Sequence, residues 1–265
     1  MSALTEYRFA PTAREGVLGR AVTAEWLRVK STRTWWGLLL AAMAMPAVTT
    51  LGSVSTVGKP GGLDVTTAQG LHTALSNGFD AALLAAVLGV LIVTTEYRYR
   101  TAGDSLTLLP ERRWWLLAKA LVAAPLGLLF TVAGQATVLA VGLPVLSAKG
   151  VHVDPLHGEL LSTLWGTCLL GPFAAVFGVG VGALVRNQVA AVAGLVIYTF
   201  LLEGALVEFV PAVGKYLPGG AIAAIAVDPG VRHLPMAAGF LLYAAWAAVC
   251  LAAGNRRLNS QDIAG

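Results

Sequence analysis

The chain has 265 residues, of which 57% are hydrophobic and only 12% charged, with a mean hydropathy of +0.73; this balance excludes an ordinary soluble domain and points to a bilayer. Its net charge of +4 is carried by short basic clusters between apolar runs, which suits loops beside anionic lipid and argues against a nucleic-acid face. Cys168 and Cys250, the two cysteines, sit inside apolar runs where a thiol behaves as a small hydrophobe, so neither a disulfide framework nor a metal site is expected.

The first apolar run begins at Trp35, after a polar segment with six Arg or Lys residues, which is not the layout of a cleavable signal peptide. Within that segment, residues 14–33 (REGVLGRAVTAEWLRVKSTR) place Leu18, Val22, Trp26 and Val29 along one side of a helix, with Arg14, Arg20, Arg28 and Lys30 mostly elsewhere. The pattern fits an amphipathic helix lying in the membrane interface. It fits equally a basic juxtamembrane segment that only sets topology. Trp35 and Trp36, and later Trp114 and Trp115, are placed in the aromatic belt at headgroup level.

Six membrane spans are predicted, at 36–57, 75–95, 116–146, 160–185, 189–209 and 234–253, because each crossing needs roughly 20 mostly apolar residues. Backbone polar groups find no water in hydrocarbon, and continuous apolar runs do not alternate as a barrel requires, so the spans are helices and the fold is an all-α integral membrane protein. The whole chain, 1–265, reads as a single membrane domain, with 1–35 as an N-terminal segment, 36–254 as the six-helix body and 255–265 as a tail. Fourteen of the eighteen Lys and Arg residues fall on one side if the N-terminus is cytoplasmic, so both termini are expected inside.

The stretch between spans two and three gathers charge in an otherwise apolar chain: Glu96, Arg98, Arg100, Asp104, Glu111, Arg112 and Arg113. Span three is longer than a bilayer needs and contains Pro125 and Pro144, so a tilt or kink is expected. Span four carries small residues at helical spacing, Gly171 with Ala175 and Gly178 with Gly182, a face suited to close helix approach within the bundle or between subunits. In span five, Glu203 stands seventeen residues beyond Arg186, roughly 25 Å along a helix, and Glu208 lies near the outer end. An acid at that depth faces an interior or a cavity, or else snorkels outward to a partner such as Lys215 or Arg232; Gln135 in span three is a candidate partner. The segment after span five, VPAVGKYLPGGAIAAIAVDPGVRHLP, is too apolar for a solvated loop and too broken by Pro and Gly for one straight helix, so short re-entrant helices are expected there.

Sites for other chemistry fail on spacing. GSVSTVGKP at 52–60 lacks the phosphate-loop spacing and has Pro60 where Ser or Thr would bind magnesium, while GVGVGAL at 178–184 lies within a span with no strand before it. His72, His152, His157 and His233 show no metal-ligand spacing, and no nucleophile elbow occurs. No catalytic residue, metal or cofactor is therefore expected in this chain.

The order of motifs resembles the permease subunit of ABC type-2 exporters, in the small six-span bacterial branch with a separate ATPase. The resemblance is carried by AEWLRVKSTRTWW, EYRYRTAGDSLTLLPERRWWLLAKAL, FGVGVGALVRNQVAAVAG, LLEGALVEFVPAVGKYLPGGA and NRRLNSQDI, and runs over nearly the whole chain. It implies a homodimer, or a pair with a paralogue, working with two ATPase chains that hold ATP and Mg in the bacterial inner membrane. It also implies that the ATPase rests on the N-terminal helix and on the segment holding Glu96, Tyr97, Arg98, Arg100, Thr101, Asp104, Pro110, Glu111, Arg112 and Arg113. Gln135, Glu203, Glu208 and Pro218 then become candidates for a translocation path or outer gate, with the short helices after span five matching the family's outer re-entrant pair. Two rival readings stay open: a proton- or ion-coupled secondary transporter using Glu203, and a non-transporting sensor or immunity protein.

Overall fold

A computed structural model of the chain describes residues 14–103, 112–153, 158–226 and 234–260, and every regular element among them is helical. In chain order these are α1 (Arg14–Ser31), α2 (Thr34–Ser55), α3 (Ala68–Leu75) and α4 (Asp80–Arg98), the last two joined through a 3₁₀ turn at Asn77–Phe79. Then follow α5 (Arg112–Ala148), α6 (Gly158–Val185), α7 (Gln188–Ile197), a π-helical turn (Tyr198–Glu203), α8 (Gly204–Phe209), α9 (Pro211–Gly214), α10 (Pro218–Ala226) and α11 (Met236–Ser260).

Five stretches are long and apolar enough to cross a membrane: Thr34–Ser55, Gln69–Arg98, Arg113–Ala148, Leu160–Val185 and Met236–Ser260. The run at 189–209 differs from the single span expected there, because its apolar helix reaches only from Gln188 to Glu203 and turns π-helical in its last six residues. Span two gains α3 at its start. The break between α3 and α4 is held by Gln135, whose buried amide nitrogen donates to the Leu75 carbonyl at 3.2 Å while Gly78 packs directly against its side chain.

α4 and α6 form the centre, with α5 laid across both and α2, α11 and α1 outside them. Such central helices are apolar all round because no face meets solvent. Close approach depends on glycine at the crossings. A Cβ on Gly178 would overlap the Ala86 carbonyl of α4, one on Gly89 would overlap Ala175, and Gly127 and Gly171 stand against each other's backbones where α5 crosses α6. Gly171, Ala175, Gly178 and Gly182 are all buried on this surface inside one chain, with Gly182 against Val90. The face belongs to the bundle interior, and it is not available to a second subunit. Thr131 of α5 adds a hydrogen bond of 2.9 Å to the Cys168 carbonyl of α6.

Candidate functional site

Three helices bring four charges together at one end of the bundle. α1 supplies Glu25 and Arg28, adjacent on its surface at i and i+3; α4 supplies Glu96 and α5 supplies Lys119. Lys119 has no exposed surface, and Glu96 and Glu25 are 2% and 6% exposed. The Lys119 ammonium donates to Glu25 Oε2 at 2.9 Å, to Glu96 Oε1, and to the Ile92 carbonyl at 3.3 Å, and it lies 4.6 Å from the ring centre of Trp115, one turn earlier on α5. Arg28 donates to Glu25 Oε1 at 3.0 Å and to Glu96 Oε1, while the Trp115 indole N–H donates to Glu96 Oε2 at 3.2 Å.

The accounting closes: an ammonium has three donors and all three are used, and each of the four carboxylate oxygens accepts at least one bond. Two acids against two bases leave the cluster neutral, the arrangement in which buried charge is tolerated because each group's lost hydration is replaced. Next to it lies a small cavity of about 80 Å³ bounded by Glu25, Arg28, Trp35, Ile92 and Glu96.

Two arginines in left-handed backbone end the helices around this network. Arg100, at φ 58°, closes α4 with both bonds of a Schellman cap, Thr101 N–H to Glu96 O at 2.9 Å and Arg100 N–H to Tyr97 O at 3.3 Å. Arg186, also at φ 58°, ends α6 with its N–H on the Gly182 carbonyl at 2.9 Å, after which Asn187 caps α7 by accepting from Ala190 N–H at 3.0 Å. The guanidinium of Arg186 lies 5.6 Å from the Tyr97 ring centre, Tyr97 meets Trp115 edge-on at 6.3 Å, and Arg257 near the end of α11 donates to the Leu184 carbonyl. Non-glycine residues are disfavoured in this conformation, so Arg100→Gly is expected to keep the cap and stabilise the chain by about 1 kcal/mol, read as a raised melting temperature in detergent.

The sequence-predicted coupling residues separate into groups. Glu96 is buried and fully engaged, and Tyr97 is half-buried. Arg98, which reaches Gln188 at 3.4 Å, and Arg100, Thr101 and Arg113 are exposed, with Arg113 5.0 Å from the Trp114 ring centre. Asp104, Pro110 and Glu111, and the side chain of Arg112, lie outside the described residues. On α1, Val29 is buried and Val22 packs on the same core with Leu18 half-buried, but Trp26 is 43% exposed, because the inward line runs through Glu25 instead. Trp115 is a further correction: at 1% exposure it belongs to the ion network and not to an aromatic belt.

A second polar site lies around Glu203, which is 5% exposed. Its carboxylate accepts the Gly219 backbone N–H in the first turn of α10 and the Tyr198 hydroxyl at 3.3 Å. Tyr198 and Glu203 are five residues apart, which in an α-helix would set them about 140° apart. The π turn, with its wider i to i+5 repeat, brings them to one face. Pro218 is buried at the first position of α10, where its missing N–H costs nothing, so Glu203 meets the next donor along and the positive end of the helix. Gln135 bonds elsewhere and is not its partner, and the Glu208 side chain lies outside the described residues.

Sequence reasoning missed Glu25, Lys119 and Trp115. The available signal was Lys119 itself, a cation inside an apolar run, which needs a buried partner.

Long apolar helices packed through glycine contacts, with a satisfied ion network inside, define a multi-pass helical membrane protein. Residues 21–202 match the family model described as ABC-2 family transporter protein, and the chain belongs to that family. It is therefore a permease component of an ABC transporter, a transport part and not itself catalytic. The match takes in the whole ion network and ends one residue before Glu203. Among curated proteins none matches the chain.

Proposed function

We propose that the chain is the membrane subunit of an ATP-driven exporter of an apolar or amphipathic compound, working as a homodimer with a separate ATPase that holds ATP and Mg. In this reading it lies in the bacterial inner membrane with both termini cytoplasmic; the run through the π turn is the fifth of six crossings, and α9 and α10 form a re-entrant pair at the outer side.

One observation carries the coupling part of this reading: Glu25, Glu96 and Lys119 tie α1 to the junction of α4 and α5 through buried charge. A push on either exposed element is then transmitted to two spanning helices together, since the three cannot separate without uncovering a bare charge. The exposed arginines, Arg98, Arg100 and Arg113, are the docking charges, and they supply orientation more than affinity. Glu96 acts one layer inside, as a positioning residue. The outer pair is tethered to the π turn by Glu203, which supports a gate role for Pro218 and its helix.

The test is to purify the chain together with a candidate ABC ATPase subunit from the same cell. A stable complex is expected, with ATP turnover altered by the permease, and reversing Arg112 and Arg113 together to Glu is expected to reduce coupled transport at least tenfold while the protein still inserts. Absence of both a complex and a change in turnover would sink the proposal. Transport that survived ATP depletion and collapsed with the proton gradient would shift the central role to Glu203.

A further inference from the structure

Between α6, α7 and α11 lies an apolar groove of about 380 Å³, within the range of small-molecule sites. Phe177 and Val181 form one wall, Leu195 the second, and Trp246 and Cys250 the third, with Pro218 across one end. The Trp246 indole N–H donates to the Tyr216 carbonyl at 2.9 Å, two residues before Pro218. The other end is lined by Val185 and Ala190, both exposed. From Phe177 to Val185 is eight residues of helix, about 12 Å, close to the ~15 Å of hydrocarbon in one leaflet.

The open end carries charge of one sign. Arg257 is exposed and held beside the opening by the Leu184 carbonyl, Arg256 precedes it, and Arg186 follows Val185; from Leu184 to Ala190 and from Asn255 to Ser260 there are eight polar or basic residues and no acid. Guanidinium groups at headgroup depth recognise phosphate, and an apolar groove running inward from them matches a hydrocarbon tail. A tail without a charged head would leave the positive charge of this end unbalanced, and a free anion would leave the slot empty.

We propose that this groove holds one acyl chain of an anionic phospholipid from the leaflet on the Arg257 side, with its phosphate on Arg257 and Arg256. The site shares no lining residue with the ion network, and it requires only that the chain sit in a bilayer. It also accounts for an apolar cleft between three helices that no side chain of the described residues fills.

Gly194 is the natural probe, because it lines the groove and a Cβ there meets nothing within 4 Å. Gly194→Leu therefore fills the slot without disturbing packing, and leucine favours helix over glycine. The full chain in detergent would be examined by native mass spectrometry with phosphatidylglycerol, with phosphatidylcholine of the same acyl chains, and with inorganic phosphate. One phosphatidylglycerol retained per chain is expected, at least tenfold above phosphatidylcholine; Gly194→Leu should cut retention at least tenfold, Arg257→Gln should erase the headgroup preference, and inorganic phosphate should not displace the lipid. As a second measurement, in a Cys168→Ser background, phosphatidylglycerol should slow modification of Cys250 by an apolar maleimide at least fivefold. Wild-type retention in Gly194→Leu, equal retention of the two lipids, displacement by inorganic phosphate, or loss of a dimer in place of loss of lipid would each overturn the proposal.

Discussion

Replacing Lys119 with alanine is expected to lower the stability of the folded chain by about 3–5 kcal/mol, the cost of leaving buried charge uncompensated. The lysine has no exposed surface and serves two carboxylates, so its loss leaves Glu25 and Glu96 sharing Arg28 alone, with the Ile92 carbonyl also bereft of its bond. Denaturant titration in detergent would read the change. Pairing Lys119→Met with Glu25→Gln should recover most of the loss, because one acid and one base, Glu96 and Arg28, then remain. The exposed Arg98→Ala serves as comparison and is expected to move stability by less than about 0.5 kcal/mol. Equal tolerance of Lys119→Ala and Arg98→Ala would refute the network as a structural tie.

Glycine substitutions are expected to change sign with position. At Gly178 a Cβ runs into the Ala86 carbonyl, a backbone atom that cannot step aside, so Gly178→Ala should cost about 1–3 kcal/mol and Gly178→Leu more, by forcing α4 and α6 apart. At Gly194 the space is open, and Gly194→Ala should stabilise by about 1 kcal/mol through helix propensity alone. Melting temperatures of the two alanine variants should therefore lie on opposite sides of the parent's. The same order from both, or no effect at Gly178, would contradict the close crossing of α4 and α6.

The spanning helices were readable because hydrocarbon imposes a long, continuous apolar signature, and five of the expected spans match long apolar helices in the structure. The small-residue face of α6 was visible as spacing, but whether it met its own chain or another depended on α4 and α5 arriving there, which no local pattern encodes. The ion network escaped for the same reason: Glu25, Glu96 and Lys119 are far apart in sequence, and each looks like a separate topology charge until the bundle closes. Glu203 was singled out by depth, yet beside the Tyr198 hydroxyl its partner proved to be a backbone N–H, and backbone donors carry no residue identity that a sequence can display. The π turn was equally hidden, since its one extra residue per turn is set by the contacts at Tyr198 and Glu203 and by no motif.

The order in which the network's members are synthesised has its own consequence. Both acids, Glu25 and Glu96, precede their lysine in the chain. While the chain is threading into the membrane, Lys119 is still a lone cation available to orient the helix that carries it. When α5 settles, the lysine joins Glu25 of α1 to Glu96 of α4 and completes the tie. A chain stalled before residue 119 would thus hold α1 to α4 through Arg28 and Glu96 alone, with both acids still waiting for their buried cation.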